Sequence, residues 1–133
     1  MRVGRVCAYV TRARAGHTEL LVFDHRDFPE AGTQVPAGGV HAGESLEQAL
    51  LRELEEEAGL AGVEIVRLLS DEHWESHSFH VRVTGETPDE WTHVVVGDGD
   101  DAGLVFVYRW VPLDPEFVLW GTRDPVLRLI DAA

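Results

Sequence analysis

Glu53, Glu56 and Glu57 stand at i, i+3 and i+4, a spacing that brings side chains onto one face of a helix. Like charges held that close repel, so the trio must either face solvent or be neutralised by something positive. On an arbitrary helix, a solvated acidic face is the ordinary outcome. The chemistry open to such a trio is to bind a hard divalent cation, which prefers oxygen ligands and accepts several carboxylates at once. Upstream stand Gly38, Glu44 and Arg52, and at this point the solvated face and the bound cation both remain open.

The element that must present these carboxylates is the clearest helix in the chain. Ser45 can cap its first turn while Gln48, three residues on, reaches back in a capping box. Gly59 supplies the stop. Leu46, Leu50, Leu51, Leu54 and Ala58 recur at helical spacing and are expected to form the apolar stripe, with the glutamates beside it. Ala49, one turn before Glu53, is small enough to leave room on the acidic face. Before the helix runs a stretch at 25–43 rich in Gly and Pro, whose length in a compact domain marks a functional loop.

Around this unit, apolar and β-branched runs at 3–11 and 19–24 read as strands paired across a polar turn at 12–18. Further strands are expected at 63–69, 79–83, 91–96 and 104–111, with the acidic Gly-rich segment 97–103 as a hairpin turn. Asp124 and Pro125 make a good cap and first position for a short last helix at 125–131. The expected architecture is one α/β domain over the whole of 1–133, a mixed sheet with at least two helices.

Residues 38–60 read GGVHAGESLEQALLRELEEEAGL, which is G-x5-E-x7-R-E-U-x-E-E-x-G-U with U aliphatic. This matches the Nudix box at Gly38, Glu44, Arg52, Glu53, Leu54, Glu56, Glu57, Gly59 and Leu60, and the chain therefore resembles a Nudix hydrolase. Seven fixed identities coincide by chance at about 1 in 10^9 per window if residue types are equally common. The resemblance implies an α/β/α sandwich with a mixed β-sheet between helices. It also implies that Glu53, Glu56 and Glu57, helped by the carbonyl of Gly38, hold Mg²⁺, with Mn²⁺ as a substitute. Arg52 and Glu44 correspond to the pair that orients the catalytic glutamate, and Glu53 and Glu56 are the leading candidates for the group that takes the water's proton. Gly39 is read as permitting close approach to phosphate.

The activity this implies is hydrolysis of a diphosphate linkage in a nucleoside diphosphate joined to another group. Segment 75–78 holds neither the proline nor the tyrosine of some family subgroups, which tilts the expectation towards a nucleoside triphosphate or modified nucleotide. The alternative is a catalytically silent module of the same fold that binds a nucleotide as a sensor; an intact set of mutually repelling glutamates argues against it.

Composition limits the partners. The 24 Asp plus Glu against 11 Lys plus Arg give a formal charge of −13, and such a surface repels nucleic acid polymers and anionic membranes. A small-molecule nucleotide reached through metal is the expected partner, for a monomer or homodimer. The lone Cys7 and the absence of any long apolar segment make a cytoplasmic location the default. Asp98, Asp100 and Asp101 fail the EF-hand pattern, since Ala102 and Arg109 occupy positions that need oxygen ligands. They are read as turn residues, although the resemblance leaves room for a loop carboxylate to reach the site. Seven histidines show no zinc spacing and are read as surface or satisfied positions. Among the aromatics, Phe28 and Trp74 lie in irregular stretches and are the candidates for stacking on a nucleobase.

Overall fold

The computed structural model describes residues 2–73, 76–97 and 99–130. Alternation near the N-terminus produces β1 (Arg2–Arg14) and β2 (His17–His25), both longer than the apolar runs alone suggest. Extra pairs such as Arg12↔Glu19 and Arg14↔His17 are polar, so the expected turn at 12–18 shrinks to Ala15 and Gly16. Both have positive φ, 50° and 82°, as a two-residue hairpin turn requires.

The Gly- and Pro-rich stretch contains a 3-10 turn, Pro29–Ala31, and then β3 (Ala37–His41), a strand that sequence reasoning leaves as loop. Two adjacent glycines hide its strand character. It forms because β1 offers its backbone: Val6 pairs with Gly38 and Cys7 with Ala37. Along the same strand β2 is paired only from Thr11 to Arg14, so one half of β1 carries β2 and the other carries β3. That divergence sets the glycines of β3 beside the helix.

The helix α1 (Leu46–Ala58) has the expected ends. Ser45 Oγ accepts from the Gln48 N–H at 3.1 Å while Gln48 Oε1 accepts from the Ser45 N–H at 2.8 Å. Gly59 closes it in the left-handed region with φ 66°. The buried face differs from the expected stripe. Ala49, Leu50, Leu54, Glu57 and Ala58 are buried, whereas Leu51 is 42% exposed. Residues 49, 53 and 57 follow one another at i+4 along the edge of the apolar face, so Glu57 enters the interior rather than standing beside it.

The remaining strands are β4 (Val63–His73), β5 (Ser76–Val83), β6 (Glu90–Val94) and β7 (Val105–Pro112). The seven strands join in the order β4-β5-β1-β2-β7-β6, with β3 also on β1, and the β1–β5 pairing is parallel within an otherwise antiparallel sheet. One face packs on α1 through Val6, Ala8, Val10, Phe23, Phe79 and Tyr108. The other packs Tyr9, Leu20 and Val22 against Leu119, Leu127 and Ile130. These last come from a small hairpin, β8 (Val118–Leu119) with β9 (Thr122–Arg123), and from a 3-10 turn, Pro125–Leu129.

The expected α/β architecture with a mixed sheet is thus present, with one α-helix among the described residues. The helix expected at 125–131 is a 3-10 turn instead, and residue 131 lies outside the described residues. Asp124 and Pro125 still act as expected, Asp124 Oδ1 accepting from the Val126 N–H at 3.0 Å. Five residues are too few for a stable α-helix and suit a 3-10 turn. Among the described residues no helix is long and apolar enough to cross a membrane.

Candidate active site

A cavity of about 540 Å³ opens where β3, α1 and the loop after β6 meet. Gly38, Gly39, Arg52, Glu53, Glu56 and Glu57 line it, so most of the residues expected to share a site do so. Glu44 does not line the cavity but holds Arg52 from behind. Phe28 is 49% exposed and is not among the lining residues; it stands at the N-cap position of the 3-10 turn at 29–31, which packs on β2. Trp74 lies outside the described residues.

Arg52 organises the group. Its Nε and Nη2 donate to Glu44 Oε2 and Oε1 at 2.7 and 2.9 Å, a two-pronged pair. Nη2 also donates to the Gly39 carbonyl at 2.8 Å, and Nη1 to Glu53 Oε1 and Glu56 Oε1 at 2.9 and 3.1 Å. One guanidinium therefore ties the 39–44 loop to the helix and draws two carboxylates together. Glu44 also accepts from the His41 N–H at 2.8 Å. The Arg52 guanidinium, with the His41 N–H, holds the Glu44 carboxyl down at about 2, so that anchor stays charged. Glu44 and Arg52 fix the local structure, and Arg52 alone of the two bonds to Glu53 and Glu56.

The three glutamates differ in environment. Glu57 is 4% exposed, with Oε1 accepting from the Ala37 N–H at 3.2 Å. Burial pushes its carboxyl up to about 8 against the help of that hydrogen bond, and the nearby charges of Glu53 and Asp101 push the same way. Burial also raises Glu53, opposed by its bond to Arg52. Each of Glu53 and Glu56 lies against a glycine. A Cβ on Gly38 would stand 2.0 Å from Glu53 Cδ, and one on Gly97 2.7 Å from Glu56 Cδ. Gly97 also has φ 106°, a conformation costly for other residues.

Gly97 begins the acidic loop, and that loop is docked on the end of α1. The Glu56 carbonyl accepts from the Val96 N–H at 3.0 Å and meets His93 Nε2 at 2.9 Å. Asp100 and Asp101 consequently line the cavity. The segment is a hairpin turn as expected and also part of the cavity wall; Asp98 lies outside the described residues. Arg5 and His41 are further lining residues that sequence reasoning missed. Only the β1–β3 register, Arg5↔Gly39 and Arg2↔His41, brings them here, and no spacing in the sequence encodes it. Among the other histidines His80 is satisfied and His17 is exposed: Thr11 Oγ1 and His80 Nε2 form a buried pair at 2.7 Å. Trp91 stacks on Tyr108 and donates to the Ala58 carbonyl, a core role.

Among the described residues no three His, Cys, Asp or Glu side chains converge closely enough to hold a metal ion as they stand. Glu53 and Glu56 are drawn to Arg52 instead. The donor set nevertheless fits a hard cation: it is all oxygen, burial and a neighbouring carboxylate disfavour the charge of Glu53 and of Glu57, and glycine backbone walls it where a side chain would fill the space.

The NUDIX domain family model matches residues 1–129. The RNA pyrophosphohydrolase of Photobacterium profundum is 43% identical over 53 residues, 40% of this chain and 30% of that protein. The aligned segment thus spans less than a third of that relative's length. The chain superposes on an Ap4A hydrolase of C. elegans in a binary complex with TM-score 0.58 at 21% identity, over 82% of this chain and 80% of that one. It superposes on an ADP-ribose pyrophosphatase from Streptococcus suis, also with TM-score 0.58, at 18% identity over 94% and 87% of the two chains. Such distant structural likenesses speak to the fold alone.

Proposed function

Because the chain belongs to the NUDIX domain family, we propose that it is a Mg²⁺-dependent pyrophosphohydrolase. It cleaves a diphosphate linkage in a nucleoside diphosphate joined to another group, with a nucleoside triphosphate or modified nucleotide as the favoured substrate. The observation that carries this reading is the Arg52 network. One arginine gathers Glu53 and Glu56 at 2.9 and 3.1 Å on a cavity that Glu57 also lines.

Glu53, Glu56 and Glu57, with the backbone at Gly38, would hold the cation. Bound there, Mg²⁺ neutralises phosphate oxygens and makes a water more acidic. The chain's own residues supply the rest. Gly38 and Gly39 admit a phosphate close to the backbone. Arg52, held by Glu44 and the Gly39 carbonyl, would keep the loop in register when Glu53 and Glu56 hold a cation. Glu53 or Glu56 accepts the proton of the attacking water. The water oxygen bonds to one phosphorus, the bridging oxygen leaves with the other, and the two products each carry a phosphate end.

Incubation with Mg²⁺ and a panel of unmodified, oxidised, sugar-linked and dinucleoside substrates, with product identification, tests this. Glu56→Gln is the control and should lose most turnover. No turnover of any diphosphate, or turnover indifferent to the substitution, overturns the reading; binding without turnover would favour the sensor module.

A further inference from the structure

The cavity is lined by five carboxylates and two arginines, so an anionic ligand entering it meets repulsion unless cations face it. Arg52 is committed to Glu44, the Gly39 carbonyl, Glu53 and Glu56. Arg5 is different. It is exposed at the cavity wall, and among the described residues its side chain makes no hydrogen bond or ion pair. By contrast Arg12, Arg14, Arg26, Arg82 and Arg109 each pair with a carboxylate. The 11 cationic side chains are all arginine, so any direct contact from a permanently charged side chain to a phosphate must be arginine's, in its planar fork geometry.

The position is also specific. Arg5 is paired in the sheet with Gly39 on one side and Ser76 on the other, beside the middle of β3, where Gly38 and Gly39 line the cavity. Arg5 lines the same cavity as Glu53, Glu56 and Glu57.

We propose that Arg5 is a direct phosphate contact of this cavity, gripping the phosphate next to the one that the glutamates address. The ligand class is a molecule with at least two linked phosphates. Which bond is cleaved rests on the hydrolase reading above, whereas the Arg5 contact does not.

The test is calorimetric titration of the full chain with inorganic pyrophosphate in the presence of Mg²⁺, comparing wild type, Arg5→Gln and Arg5→Lys. Loss of the fork should weaken binding about tenfold or more in Arg5→Gln and less in Arg5→Lys, which keeps the charge. Binding by Arg5→Gln should also fall less steeply with salt. In wild type, pyrophosphate should protect Arg5 from modification by phenylglyoxal, read by mass spectrometry, a measurement that needs no variant. Where a substrate is turned over, Arg5→Gln should raise KM about tenfold and change kcat little. Pyrophosphate affinity in Arg5→Gln within twofold of wild type, or an unprotected Arg5, overturns the inference. Absence of turnover with intact, Arg5-dependent pyrophosphate binding overturns the hydrolase reading alone.

Discussion

In the metal-free protein, ionising Glu57 works against folding, and the size of the effect can be worked out. The carboxyl is 4% exposed, and its value rises from 4.5 to about 8 on folding. An acid whose folded value is raised binds more protons folded than unfolded, so stability is greatest below 4.5 and falls as the pH rises towards 8. At ~1.4 kcal/mol per pH unit, the loss is about 1 kcal/mol at pH 5, about 3 at pH 7 and on the order of 4 above pH 8, where it levels off. Glu57→Gln removes the ionisation but keeps an Oε1 to accept from the Ala37 N–H. In chelator, thermal melts of wild type and variant should therefore converge near about pH 4.5 and diverge by roughly 10 °C at about pH 8, the variant being the more stable. Binding of Mg²⁺ should reverse the ranking. At pH 7 it should release about 0.9 proton per protein from Glu57, read by calorimetry in buffers of different ionisation enthalpy. Parallel melting curves for the two proteins from about pH 5 to 9 would refute the claim that this carboxyl is buried and neutral.

Arg52→Lys keeps the charge but cannot span Glu44, the Gly39 carbonyl and two further carboxylates. Turnover should fall ~10- to 100-fold and the Mg²⁺ concentration for half-maximal rate should shift, both read by steady-state kinetics. Gly97→Ala places a methyl 2.7 Å from Glu56 Cδ at φ 106°; it should lower stability by about 1–3 kcal/mol in urea melts and reduce kcat more than it raises KM. Ser45→Ala removes half of the capping box and should cost about 1 kcal/mol in the same melts while leaving kcat unchanged.

The helix and its charges were legible because each signal is local. Ser45, Gln48 and Gly59 act within a turn of themselves, and the spacing of Glu44, Arg52, Glu53, Glu56 and Glu57 translates directly into one side of one helix. What escaped depends on pairing between distant segments. β3 carries two glycines in five residues, and only the backbone of β1, more than 30 residues earlier in the chain, makes it a strand. Arg5 and His41 enter the cavity by the same pairing. Leu51 and Glu57 exchanged their expected burial because the edge that continues from Ala49 through Glu53 is closed by β3. A periodicity count sees one helix and cannot see what covers each edge. Gly97 gave no signal at all, since the carboxylate it makes room for is 41 residues away.

The excess of negative charge acquires a more definite meaning from the same geometry. A net charge of −13 suggests that phosphates are met only through metal, and five carboxylates around one cavity strengthen that expectation. Yet a cation bound by the glutamates screens chiefly the phosphate beside it, because the attraction falls with distance and water fills an open cavity. A neighbouring phosphate would still face Asp100 and Asp101 from the acidic loop. The uncommitted Arg5, which lines the same cavity, offsets that repulsion directly. The loop and the arginine thus act together on selectivity: ligands whose charge is distributed to meet both cation and guanidinium gain from each, and single phosphates gain from only one.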